Sequence, residues 1–158
     1  VLAVSPDSLS RLIVGAPEFP HQTIVNLHYK TDAAMPAPFF GMTGMTGHWV
    51  FAKNGIVSVT ISAANDLTAR YSLDALAGLV WRDLARILKT NEAAPPFRAV
   101  LEKRATILQT RAVNRSRLNQ DIGSGTVFIA GDATATALPC TIEGAVRSGI
   151  AAARAALN

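Results

Sequence analysis

Apolar and polar residues alternate along two stretches of the chain. In "TIVNLHYKT" Val25, Leu27 and Tyr29 fall on one side, and Ile24, Asn26 and His28 on the other. In "IVSVTISAA" Val57, Val59 and Ile61 face one way, and Ile56, Ser58, Thr60 and Ser62 the other. A period of two marks a strand with one buried face. Between them, "DAAMPAPFFGMTGMTGHWVFAKNG" is rich in Pro and Gly. Two short strands are expected there, around Phe39–Gly41 and His48–Ala52, with Asn54-Gly55 as a tight hairpin turn. Residues 22–63 therefore read as a mostly antiparallel sheet with one buried face.

The period then changes. Over residues 72–88, Leu73, Leu76, Val80, Leu84 and Ile87 or Leu88 recur at helical spacing behind Ser72, a good N-cap. "NEAAPP" ends that helix, and β-branched residues and alternation predict a strand from about Phe97 to Leu108. At the start, "VLAV" reads as a short strand, followed by a helical turn or two with Ser5 as cap and Pro6 at the first helical position. Residues 111–124 read as a polar loop, "GTVFIAGD" as a buried strand, and Thr141–Leu157 as an alanine-rich helix. The expected class is α+β. No internal repeat or low-complexity tract interrupts it.

Composition narrows the picture. At 158 residues, 49% hydrophobic and 16% charged, the chain suits a folded domain with a real core. Its apolar runs fall far short of a membrane span. Val1 opens on a strand-like segment with no initiator Met and no signal-peptide pattern, so the chain is expected to be part of something longer. Cys140 is the only cysteine, which makes a reducing, cytoplasmic setting the default expectation. The net charge of +4 raises nucleic acid or an anionic membrane as partners. However, Arg98, Lys103, Arg104, Arg111, Arg115 and Arg117 have no aromatics interleaved from Arg98 to Arg117. A solvated face explains them better than a nucleic-acid groove.

The candidate chemistry lies near the end, in "FIAGDATATALPCTIEGAVRSG", Phe128 to Gly149. An apolar strand runs into Gly131-Asp132, small residues follow, and a helix begins. Helix N-termini leave backbone N–H groups open and carry partial positive charge, so they attract phosphate or carbonyl oxygens. Small residues from Ala133 to Ala137 allow a flat ligand close to the backbone, and Asp132 can accept hydrogen bonds from hydroxyls. Plain connection chemistry, with Asp132 capping the helix, is the competing reading. Cys140 reads as a packing residue rather than a nucleophile, since no base accompanies it. His21, His28 and His48 have no metal-ligand spacing, and no metal is expected.

The string "AGD…LP-x-T-x-E-G-A-x-x-S-G" resembles the C-terminal flavin-binding motif of the FAD-dependent amine oxidase and phytoene desaturase superfamily. "NLHYKT", "HWVFAKNG", "VSVTISAA" and "LEKRATILQT" are similar to its hydroxysqualene dehydroxylase branch. The resemblance covers roughly residues 22–157. It implies an α/β parent: residues 1–125 as a portion of the substrate domain, and residues 126–158 as the C-terminal strand and helix of a Rossmann-like FAD-binding domain. The Gly-x-Gly-x-x-Gly half of that domain does not occur here; Gly41, Gly44 and Gly47 have a different spacing and precede a strand.

By the same resemblance, Gly131, Asp132, Ala133, Pro139, Thr141, Ile142, Glu143 and Gly144 would bind the cofactor, FAD. Asp132 would take the ribityl hydroxyls, and the backbone from Pro139 to Ile142 the pyrimidine edge of the ring. Glu143, Gly144 and Ser148 would pack around the helix. His28, His48 and Trp49 would line a substrate cavity. The implied reaction is the reductive conversion of hydroxysqualene to squalene, feeding hopanoid synthesis. The implied partner is an apolar isoprenoid, with peripheral membrane contact as an option. Carotenoid desaturase, flavin amine oxidase, or a non-catalytic piece that binds no flavin are the alternatives. The chain alone is expected to be inactive. It departs from the motif at Ala133, where a bulky residue is usual; at Ala137, where Gly is usual; and at Arg117-Leu118, where Arg-Pro is usual.

Overall fold

The computed structural model describes residues 1–157. They form two compact units, one of residues 22–105 and one of residues 1–21 with 106–157. This division rests on compactness. The boundary at 125/126 implied by the resemblance rests on parent-domain membership, so the two boundaries differ.

The first unit is built on a five-stranded sheet: β1 (His21–Lys30), β2 (Phe39–Gly41), β3 (Trp49–Lys53), β4 (Ile56–Ile61) and β5 (Phe97–Ile107), in the order β2-β3-β4-β1-β5. Strands β1 and β4, β2 and β3, and β3 and β4 pair antiparallel. Along β5 the Lys30 N–H donates to the Pro96 carbonyl at one end and the Leu108 N–H to that of Pro20 at the other. That crossing of numbers makes this pair antiparallel too. The β3–β4 turn is the expected Asn54-Gly55, with φ of 52° and 72°. Two positive φ values give the right-twisted hairpin turn that Asn-Gly favours.

The period-two positions behave as the sequence predicts. Val25, Leu27, Tyr29, Val57, Val59 and Ile61 are buried on one face. Against them packs α3 (Leu73–Leu88), through Leu76, Ala77, Val80, Trp81 and Leu84. Each such Val, Leu or Ile side chain taken from water contributes about 1.5–3 kcal/mol. Tyr29 donates its hydroxyl to the Ala77 carbonyl at 2.8 Å, and its ring lies 5.4 Å from that of Trp81. Ser72 caps α3 by accepting from the Ala75 N–H. A short helix, α2 (Asn65–Arg70), precedes it without any side-chain cap, and alternation does not announce it.

The second unit contains α1 (Pro6–Leu12), α4 (Arg111–Ser116) and α5 (Ile142–Leu157). Ser5 and Pro6 start α1 as expected. Three expectations are corrected here. Residues 111–124 are not all loop: Thr110 accepts from the Val113 N–H, Val113 is buried, and six residues wind into α4. "GTVFIAGD" is buried at Phe128, Ile129 and Ala130, but it forms only single bridges, to Leu2 and to Asp121. For the same reason "VLAV" amounts to the Leu2 bridge alone. Apolarity predicts burial; a strand also needs a partner running its length.

Candidate functional site

The turn between Ala130 and α5 is held from two sides. On one side is a closed circuit of hydrogen bonds. The Gly131 N–H donates to Ser148 Oγ at 3.1 Å, and the Thr134 hydroxyl donates to the Gly131 carbonyl at 2.9 Å. The Thr134 and Ser148 hydroxyls lie 2.6 Å apart, both buried. Thr134 has spent its only proton on Gly131, so Ser148 supplies the proton between the hydroxyls. Every donor has one acceptor, and the start of the turn is locked to the second turn of α5.

On the other side is Arg117, only 9% exposed. Its Nη1 donates to the Leu138 carbonyl at 2.7 Å and its Nη2 to the Asp132 carbonyl at 2.8 Å. One planar guanidinium thus clamps both ends of the 132–138 loop. Its buried Nε has no acceptor among the described residues. This corrects the reading of Arg117 as part of a solvated basic face: Arg98, Lys103, Arg104, Arg111 and Arg115 are exposed, and Arg117 is not. Beside the clamp lies a concavity of about 410 Å³, whose lining includes Gln109, Asn114, Arg117, Ala137 and Leu138.

The loop reaches α5 through a capped start. Thr141 Oγ1 accepts from the Gly144 N–H at 3.2 Å, and the Thr141 carbonyl accepts from the Ala145 N–H. Among the described residues this leaves the N–H groups of Ile142 and Glu143 open at the helix start. A Cβ on Gly144 would lie 2.8 Å from the Pro139 carbonyl oxygen, so only glycine lets the loop come this near the helix. Ala137, just before, holds φ at 61°, a left-handed conformation glycine adopts at far lower cost.

The expected cofactor residues are therefore one continuous run with distinct surroundings. Gly144 is the point of close approach, and Gly131 holds φ at 147°, a conformation that side chains rarely adopt. Asp132 is half-buried, and its carboxylate accepts no hydrogen bond from the described residues. Ala133 is buried with Phe19, Ile107, Val113 and Cys140, so a larger side chain at this position would have to displace them. Pro139, Thr141, Ile142 and Glu143 are exposed, and Glu143 pairs with Arg147 at 2.6 Å. Burial pushes the Cys140 thiol up; the Arg117 cation opposes the rise and the Asp132 carboxylate adds to it. A protonated, buried thiol is a packing residue and not a nucleophile.

The three expected cavity residues separate. His28 and Trp49 lie on the face of the sheet opposite the core. His48 precedes Trp49 and so falls on the other side of the alternation; its Nδ1 accepts from the Ser62 N–H. Sequence reasoning places Arg117 at the motif's Arg-Pro position but reads its charge as part of a solvated face, and it misses Thr134. Thr134 is hidden in a run of small residues.

A capped helix start with open N–H groups, an uncommitted carboxylate and a glycine-enforced close approach fit a flat polar cofactor edge. The family whose description is flavin containing amine oxidoreductase matches residues 37–157, and the chain belongs to that family. Its curated relatives are more particular. The chain is 37% identical over 162 residues to the hydroxysqualene dehydroxylase of Sinorhizobium fredii, covering 100% of this chain and 38% of that protein. It is 39% identical over 140 residues to that of Zymomonas mobilis, covering 87% and 33%. With that of Rhodopseudomonas palustris it shares 38% identity over 157 residues, covering 97% and 37%. The chain thus spans between a third and two-fifths of the relatives' length.

Among solved structures, a chain named as a protoporphyrinogen oxidase from Exiguobacterium sp. 255-15 superimposes with a TM-score of 0.60. That match covers 97% of this chain and 40% of the other, and at 11% identity it shows the fold alone. No helix among the described residues is long and apolar enough to cross a membrane.

Proposed function

We propose that this chain is the part of an FAD-dependent oxidoreductase that closes over the flavin, joined to a substrate-facing sheet, and that the complete enzyme removes the hydroxyl of hydroxysqualene to give squalene. The observation that carries the flavin reading is the Gly131–Gly144 turn: one close approach, at Gly144, a Gly131 at φ 147°, an uncommitted Asp132 and, among the described residues, two open N–H groups at the start of α5. The Ile142 and Glu143 N–H groups would face the carbonyl edge of the ring, where the helix dipole favours negative charge. Asp132 would accept from ribityl hydroxyls. Arg117 and the Thr134–Ser148 circuit hold these groups in position. The flavin, when bound, supplies hydride chemistry; the chain supplies its position and keeps water from it.

Three relatives that bear the same enzymatic name, at 37–39% identity, favour hydroxysqualene over a carotene or an amine as substrate. Hopanoid synthesis is the use of squalene that this reading proposes. The test is turnover by the longer protein that contains this chain. With reduced flavin under anaerobic conditions, hydroxysqualene should disappear and squalene accumulate. A protein that holds flavin yet leaves hydroxysqualene untouched, while oxidising a carotene or an amine, would contradict the assignment.

A further inference from the structure

The sheet face away from the core is unusual for its order. Pairing registers place Phe39 opposite Phe51, Phe51 opposite Ser58, and Ser58 opposite His28. These four residues form one row straight across β2, β3, β4 and β1. Phe39 stacks on Phe51 at 5.0 Å and on Trp49, in the adjacent row, at 5.5 Å. The three rings are about half exposed: 53% for Phe39 and 47% for each of the others. Exposed aromatics gathered into one patch mark a binding surface far more often than scattered ones do. The apolar platform therefore occupies β2 and β3, and the row turns polar at β4 and β1, about 5 Å per strand further on.

The polar end is a matched pair. His28 Nδ1 and Ser58 Oγ lie 2.8 Å apart. If Ser58 donates to Nδ1, then His28 Nε2 bears a free N–H and Ser58 Oγ keeps an acceptor lone pair. If Nδ1–H donates to Ser58, the serine O–H is free and Nε2 is the acceptor. In either tautomer the pair shows the face one donor and one acceptor. An alcohol needs one of each.

We propose that this row is the surface that recognises a hydroxylated isoprenoid, with the chain of the substrate on the Phe39–Trp49–Phe51 platform and its hydroxyl on the His28–Ser58 pair. The proposal rests on the dehydroxylase reading and adds to it the residues that distinguish the alcohol from the product hydrocarbon. A hydrocarbon gains the platform alone. The alcohol adds two neutral hydrogen bonds, enough for about a tenfold preference. His48 takes no part.

The experiment uses the full chain and two probes of like skeleton, farnesol and farnesene, titrated in the same detergent while tryptophan emission is followed. Trp49→Phe identifies the share of the signal that comes from the platform, since Trp81 is buried. Farnesol should bind about tenfold tighter than farnesene. His28→Ala and Ser58→Ala should abolish that preference and leave farnesene affinity unchanged. His28→Gln, which keeps a donor and an acceptor, should restore part of it, and Phe51→Ala should weaken both probes. Equal affinities, a preference that survives His28→Ala and Ser58→Ala, or no response of Trp49 to either probe would each overturn the proposal. Failure of the dehydroxylase reading shows separately, as absent squalene in the turnover assay.

Discussion

Arg117 shows how much one side chain can decide. Its guanidinium satisfies two carbonyls, Leu138 and Asp132, at 2.7 and 2.8 Å in a nearly dry setting. Arg117→Ala should destabilise the chain by about 3 kcal/mol, since two charge-assisted hydrogen bonds go and both carbonyls stay behind. Arg117→Lys should recover only part, because an ammonium cannot fork. Urea unfolding midpoints measure both. Ala137 carries the opposite expectation. A left-handed alanine costs about 1–2 kcal/mol, and the looser unfolded chain of a glycine returns about half of that. Ala137→Gly should therefore gain up to about 1 kcal/mol in the same measurement. The departure from Gly at this position was legible in the sequence as a mismatch with the motif. Its physical meaning, φ of 61°, was not. Charge alone does not tell which of the six basic residues between Arg98 and Arg117 turns inward, because inward and outward arginines read alike; only the motif position sets Arg117 apart.

At the scale of elements, α5 offers a paired test. Gly144 and Gly149 both sit within the helix, where alanine is ordinarily better by about 1 kcal/mol. A Cβ at Gly149 meets nothing within 4 Å, so Gly149→Ala should raise the melting temperature of this chain. A Cβ at Gly144 meets the Pro139 carbonyl at 2.8 Å, so Gly144→Ala should lower it. Equal gains from both would show that the loop does not lie against the helix. Thr141→Ala should cost about 1 kcal/mol as a lost cap. The long elements were readable from period alone: β1, β4 and α3 bury the side chains that alternation and the helical stripe name. The short ones were not. In α4 six residues carry one buried apolar side chain, Val113, and α2 buries none, so neither leaves a periodic trace. The stretch at 126–132 misleads in the other direction. It is as apolar as a core strand, yet it finds only Leu2 and Asp121 to bridge.

At the scale of the molecule, the chain joins two compact units, and each bears a different half of the proposed chemistry. The sheet of residues 22–105 carries the aromatic and His28–Ser58 face; residues 1–21 and 106–157 carry the turn that would meet the flavin. The relatives are more than twice as long, so the complete protein is the proper subject for the cofactor. Its flavin content, with and without the Asp132 carboxylate, tests the central claim most directly. The longer protein should purify yellow with close to one flavin per chain. Asp132→Ala should weaken retention on the order of tenfold to a hundredfold, the worth of a charge-assisted hydrogen bond of about 1.5–3 kcal/mol. Flavin bound as tightly by Asp132→Ala as by the unaltered protein would contradict the account.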